Sequence, residues 1–155
     1  MTVDLDRFRL AQQRDYEGAL AELRAGQKRS HWIWYVFPQL AGLGSSPMAQ
    51  TYGLQGIEEA SAYLADPLLR SRLLMVSNAV RVQLDHEPPP ALRTVMGSEI
   101  DALKLVSSMT LFRAIARRAG DDEMASVADA ILVAAKAQGF AECEFTLRRF
   151  TRPTQ

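Results

Sequence analysis

Twice in this chain a helix-capping residue stands directly before a proline, at Ser46-Pro47 and Asp66-Pro67. Such a pair starts a helix. The side-chain oxygen takes an otherwise unpaired backbone N–H, and proline fits the first helical position, where its missing N–H is no loss. Between and beyond these starts the apolar residues recur at spacings of three and four, and glycines stand where the recurrences stop. The chain is therefore expected to be all-α.

The rhythm places a first helix over 4–25, with Leu5, Phe8, Gln12, Tyr16, Ala19, Leu20 and Leu23 on its stripe. Thr2 or Asp4 can cap it, and Gly26 ends it. A short helix is expected from His31 to Tyr35 or Val36, capped by Ser30 and stopped by Pro38. A strand is the rival there, since Trp, Ile, Tyr, Val and Phe favour strands, but nothing else in the chain reads as its partner. Residues 40–46 form a Gly-rich loop. Helices follow from Pro47 to about Tyr52, over Ile57–Ala65 and from Pro67 to about Asp85. Three prolines, Pro88–Pro90, make a stiff extended linker before a short helix at Ala91–Met96. Ser98 caps the next helix, which runs to about Ala119, with Asp101 three residues on as an imperfect capping box. Helices over Glu123–Gln138 and Glu142–Phe150 complete a count of eight or nine, with a frayed tail at 151–155.

At 155 residues the chain is expected to be one domain with a core of its own. Lysine plus arginine and aspartate plus glutamate number 18 each, so no overall charge draws it to nucleic acid or an anionic membrane, although Arg148, Arg149 and Arg152 crowd the tail. A single cysteine, Cys143, excludes an internal disulfide and favours a reducing cytoplasm. Its neighbours Glu142 and Glu144 disfavour the thiolate that catalysis would need. The N-terminus lacks the basic start and apolar run of a secretory signal, and no apolar stretch is long enough to span a bilayer. The expectation is a soluble cytoplasmic protein.

Chemistry concentrates in two places. One is Lys28–Gly44, KRSHWIWYVFPQLAGLG, which holds both tryptophans, one of two histidines, and Tyr35 and Phe37. Histidine is the side chain suited to proton transfer near neutrality, and His31 is the candidate; His86 stands at a helix end before the prolines and reads as exposed. Trp32 and Trp34, two positions apart, cannot share one helix face, so one turns toward a second layer or a cleft. The other place is the helix from Ser98. At about 100° per residue, Asp101, Lys104 and Ser108 fall on the arc of Leu105, Phe112 and Ile115, the arc expected to be packed, while Thr110, Arg113 and Arg117 fall opposite. Buried charges need partners. Asp101 and Lys104 can pair at i,i+3, and Ser108 can bond back to the backbone of Lys104. Gln12 and Tyr16, also on a packed stripe, need partners of their own.

Familiar templates are absent from the sequence. There is no phosphate-binding GxxxxGK[ST], no GxGxxG after a strand, no His/Cys spacing for a metal and no nucleophile elbow. No cofactor is implied.

The segment GQKRSHWIWYVFPQLAGLGSSPMAQTYGL, followed by EEASAYLADPLL and later DALKLVSSMTLF, resembles a bacterial family catalogued as domain of unknown function 1810. The pattern HWxWxxFPQLxGLGxS carries the resemblance, with Tyr16, Lys28, Ser30, Ala49 and Tyr52 around it. A second block matches at Asp101, Lys104, Ser107–Thr110 and Phe112. The resemblance runs from about Asp4 to Phe112 and implies an all-helical domain without an assigned activity. After Phe112 the chain departs: AECEFTLRRF stands where family members often carry a segment rich in Gly and Asp-Glu-Arg.

These residues lead to an expected small-molecule site where His31–Ser46 meets the start of the helix from Ser98. Its ligand would be flat and polar or anionic, nucleotide-like being the natural class. Trp32 or Trp34 would stack on it, and His31 and Lys104 would hold its anionic part. Gln12, Tyr16, Lys28, Gln39 and Ser108 would complete the polar lining, while Gly42, Gly44 and Ser45 close over it. If the chain is an enzyme, His31 and Asp101 are the catalytic pair, and hydrolysis without a metal is the class. The alternative is a non-catalytic interaction module that uses the aromatic segment to bind a peptide or a second copy of the chain. No nucleic-acid or membrane partner is expected, and oligomeric state is open. A third reading makes the segment a folding core alone.

Overall fold

The computed structural model describes residues 3–151, so Thr2 and the expected frayed tail beyond Thr151 lie outside the described residues. Among the described residues there are nine helices and no strand: α1 Asp6–Arg24, α2 Ile33–Val36, α3 Pro47–Tyr52, α4 Ile57–Ala65, α5 Pro67–Leu84, α6 Leu92–Val95, α7 Glu99–Ala119, α8 Asp122–Ala137 and α9 Glu144–Thr151.

The cap-plus-proline starts act as expected. Ser46 Oγ accepts from the Ala49 N–H at 3.1 Å, and Asp66 Oδ1 accepts from the Leu68 and Leu69 N–H groups at 3.0 Å each. Ser98 Oγ accepts from the Asp101 N–H at 3.1 Å and starts α7. Two caps are corrected. Asp4 takes the Asp6 N–H at 2.9 Å, but the cap position of α1 is Leu5. Ser30 does not cap α2, which begins at Ile33, because its hydroxyl donates to Glu22 Oε2 at 2.6 Å.

α7 is the axis of the molecule. It packs against α8, α4, α9 and α6, while α1 lies on α5 and α2, and α5 also meets α8 and α4. The middle of α7 is covered all round, and Val106 through Phe112 are all buried. Thr110, expected on the outer side, is therefore inside. Its hydroxyl donates to Val106 O at 2.7 Å and accepts the Cys143 N–H at 3.2 Å from the approach to α9. A chain of aromatic rings ties α1, α4 and α7: Phe8 meets Tyr63 edge-on at 5.1 Å, and Tyr63 meets Phe112 at 5.3 Å.

The loop after α2 is clipped rather than loose. Leu40 and Leu54 form an isolated parallel bridge, with the Ala41 N–H on Leu54 O at 2.8 Å and the Leu54 N–H on Gln39 O at 2.9 Å. Gly53 permits this approach, since a Cβ there would stand 2.8 Å from the Ala41 backbone. The clip presses α2 against α3 and carries Pro38 and Gln39 past the side of α7.

Candidate functional site

The start of the motif segment is held by two carboxylates, Asp101 and Glu22. Lys28 donates its backbone N–H to Val95 O at 2.8 Å, and its ammonium pairs with Asp101 Oδ2 at 2.8 Å and donates to Ser30 O. The two side chains are only 5% and 18% exposed. Gly97 makes the approach possible, because with φ 84° it takes a left-handed turn that a side chain would strain, and a Cβ there would stand 2.7 Å from Lys28 O. Asp101 thus pairs across the fold with Lys28 and not with Lys104 on its own helix, as the spacing had suggested. Its place in the first turn of α7 suits a carboxylate, since unpaired N–H groups point toward it there.

The second anchor is Glu22, on α1. Its carboxylate accepts from the N–H groups of Arg29 and Ser30 at 2.8 and 2.9 Å, from Ser30 Oγ, and from the Trp32 indole Nε1 at 3.0 Å. Burial alone would raise this carboxyl. The hydrogen bonds from Ser30, Arg29 and Trp32 outweigh it and hold the group at about 2. Glu22 escaped the sequence reading: it belongs to no motif, and its partners lie 7–10 residues away.

Beyond these anchors the aromatic segment divides. Trp32, Tyr35 and Phe37 are core, each 2% exposed or less. Trp32 lies under the Lys28 ammonium, 4.9 Å from the ring centre, so the expected stacking role for Trp32 gives way to packing. The Tyr35 hydroxyl is pushed up to about 12 by burial first and second by its hydrogen bond to Asp15, which takes its one proton. The His31 imidazole is exposed and makes no side-chain hydrogen bond among the described residues. Trp34 is half-buried, with the Lys104 ammonium 4.9 Å from its ring centre.

The result is an open groove of about 300 Å³, whose lining includes Lys28, Arg29, His31, Trp34, Ser98 and Asp101. Residues from the two sequence blocks, more than 60 positions apart, thus meet on one surface, as expected of His31, Lys28, Trp34 and Asp101. Arg29 is exposed and forms no ion pair with the described residues; its guanidinium reaches only Gln27 Oε1, at 3.4 Å. Beyond Trp34, Gln39 and Lys104 line a small cavity of about 10 Å³ with Tyr52 and Gly53.

Other expected contacts fall elsewhere. The Gln12 amide is used inside the core, donating to Tyr35 O at 2.7 Å and the Tyr63 hydroxyl at 2.8 Å. Tyr16 stacks under the Arg72 guanidinium, 5.4 Å from its ring centre, and burial raises its hydroxyl. Gly42 lies against the Phe145 ring of α9, Gly44 packs on Ala49, and Ser45 gives its carbonyl to the Gln50 amide at 2.9 Å, so this loop does not cover the groove. Ser108 is wholly buried and, contrary to the expected back-bond to Lys104, its hydroxyl has no partner among the described residues.

The fold and this braced segment define an all-helical domain built around a central helix, with the motif segment clamped to that helix's start. The chain belongs to the family described as Protein of unknown function (DUF1810), which it matches over residues 2–138. The match extends the sequence resemblance through α8 and leaves α9 outside it. The chain is also similar to a conserved hypothetical protein from Mycobacterium tuberculosis known from its crystal structure. That likeness has 42% identity and a TM-score of 0.77, and covers 93% of this chain and 94% of the other. No curated protein matches. Among the described residues no helix is long and apolar enough to cross a membrane.

Proposed function

We propose that this protein binds a small anionic ligand with a flat ring, of the nucleotide class, in the groove between residues 28–34 and the start of α7. One observation carries the reading. Arg29 and His31 present a guanidinium and an imidazole beside the half-buried Trp34 without using either on an internal carboxylate. Exposed basic groups beside an aromatic edge suit a ligand that pairs a flat ring with an anion. The Lys28–Asp101 pair forms the floor, and the groove's volume is at the lower end of the range for small-molecule sites.

Asp101 is a positioning residue in this reading, since one of its oxygens is committed to Lys28. His31 is the group able to exchange a proton, and metal-independent hydrolysis remains the reaction class to assay. Burial of Trp32, Tyr35 and Phe37 disfavours the aromatic segment as an exposed docking patch.

The test is a thermal-shift series against mononucleotides and their parent nucleosides, with the wild type and an Arg29→Ala/His31→Ala variant. A ligand at a hundred times its Kd adds about 2.7 kcal/mol to apparent stability. The expected result is a rise for the phosphorylated compounds that the double variant loses. No rise for any compound, or an equal rise in the variant, overturns the reading.

A further inference from the structure

We propose that Lys104 and the Trp34 indole N–H, backed by Ser108 one turn further along α7, form a binding site for an anionic oxygen, behind the Trp34 wall of the groove. The argument is a surplus of donors. Trp34 Nε1 is buried and has no acceptor among the described residues, and neither has the Ser108 hydroxyl, on a side chain that is 0% exposed. Lys104 makes no ion pair or hydrogen bond with the described residues, and its ammonium rests over the Trp34 ring. An ammonium and an indole N–H can only donate. Buried polar groups are nearly always paired, and an orphan costs free energy that folding must recover elsewhere.

The neighbours of Ser108 show that its state is specific to this site. Ser107 and Thr110, on the same helix, both bond back to the carbonyl four residues earlier, at 3.1 and 2.7 Å. Ser108 does not, and it stands one turn beyond Lys104 on the same helical face. The missing partner is an acceptor, and beside a half-buried ammonium a negatively charged one is favoured over a neutral one. Trp34 and Lys104 line a cavity of about 10 Å³, which Ser108 itself does not line, and its size limits what enters to a single oxygen-sized group. The rest of the anion stays outside it. Trp34 alone lines both this cavity and the groove. The proposal therefore deepens the groove reading by locating one oxygen of the ligand's phosphate, and as a site for a free anion it stands apart from that reading.

The probe is inorganic phosphate, titrated against sodium chloride at matched ionic strength, with tryptophan fluorescence and melting temperature as readouts. AMP and adenosine serve as parallel arms that separate a free phosphate from a nucleotide's. Lys104→Met keeps the aliphatic contact with Trp34, and Ser108→Ala removes an unpaired hydroxyl, so both variants are expected to fold. The expected result is a phosphate or AMP response absent with chloride and adenosine. Lys104→Met should weaken it at least tenfold and Ser108→Ala several-fold. Ser108→Ala should melt no lower than wild type without anion, which a hydroxyl serving the fold alone would not allow. A phosphate response retained in Arg29→Ala/His31→Ala but lost in Lys104→Met upholds this site even if the groove reading fails. A response lost in the double variant yet unchanged in Lys104→Met and Ser108→Ala overturns this site and leaves the groove reading standing. A response equal to that of chloride, or none at all, overturns it.

Discussion

Two lysines stand near the start of α7, one reaching it from the motif segment and one belonging to the helix, and they are treated differently. Lys28 arrives from the motif segment and finds Asp101, the Ser30 carbonyl and the Trp32 ring. Lys104, less than one turn further along α7, finds only the Trp34 ring, with an unpaired Ser108 beyond it. Taking an ammonium out of water costs several kcal/mol, and the two places meet that cost by different means. At Lys28 the compensation is internal, so this pair secures the fold. At Lys104 no carboxylate offsets it, and the anion site proposed above rests on that asymmetry. Under that proposal the contrast separates polar groups kept for structure from polar groups kept for a ligand.

Asp101→Ala breaks the comparison most severely, since it strands the buried Lys28 ammonium. A loss of about 3–5 kcal/mol is expected in urea unfolding. Adding Lys28→Met should restore a large part of it, because the apolar replacement no longer needs a partner. Simple additivity of the two losses would show that the ion pair does not carry the effect.

Next in size is Glu22→Gln, which keeps the oxygen facing three of the donors but removes its charge and replaces the oxygen that Ser30 Oγ uses by an amide NH2, and should cost about 1–3 kcal/mol. It also carries a pH signature. The Glu22 carboxyl titrates at about 2 in the fold against an ordinary value of 4.5, so the unfolded chain binds its proton first as pH falls. Its contribution is complete above about pH 4.5 and is lost as pH drops toward 2. The wild-type advantage over Glu22→Gln should shrink across that window. Some acid sensitivity should persist in the variant. Asp121 is held low by Arg70, and at Asp66 the Leu69 N–H and Arg9 outweigh burial.

On the recognition side, Lys104→Met, Arg29→Ala and His31→Ala should each change stability without ligand by less than about 1 kcal/mol. A larger loss in chemical denaturation would make these residues structural and erase the contrast. The smallest effect is a gain. Gly18 lies inside α1 with open space where a Cβ would go, so Gly18→Ala should stabilise by about 0.4–1 kcal/mol, read as a raised melting temperature.

Much of the fold was legible because its signals are local. Ile57–Ala65 was bounded to the residue, and the Ser46, Asp66 and Ser98 caps act within three positions of themselves. Ser30 misled for the same reason: it has the form of a cap, but its hydroxyl went to Glu22, eight residues back on another helix. The meeting of His31, Trp34 and Asp101 was legible from polar residues on a face expected to be packed. The pairing was not, because a helical wheel offers Lys104 to Asp101 and has no means of offering Lys28. Gln12 read correctly as a group needing partners, but whether those were core or ligand turned on Tyr35 and Tyr63, 23 and 51 residues away.

By itself, then, the chain's order of caps, prolines, glycines and apolar spacings determined the helices, their approximate limits and the two stretches where polar chemistry gathers. Those properties depend on hydrogen bonds and periodicities that span a few residues. Only the tertiary structure decided which tryptophan is core and which is wall, which lysine Asp101 accepts, and which hydroxyl on α7 is left unpaired. Each of those depends on desolvation and on partners brought from distant positions, and burial is a property of the packed whole.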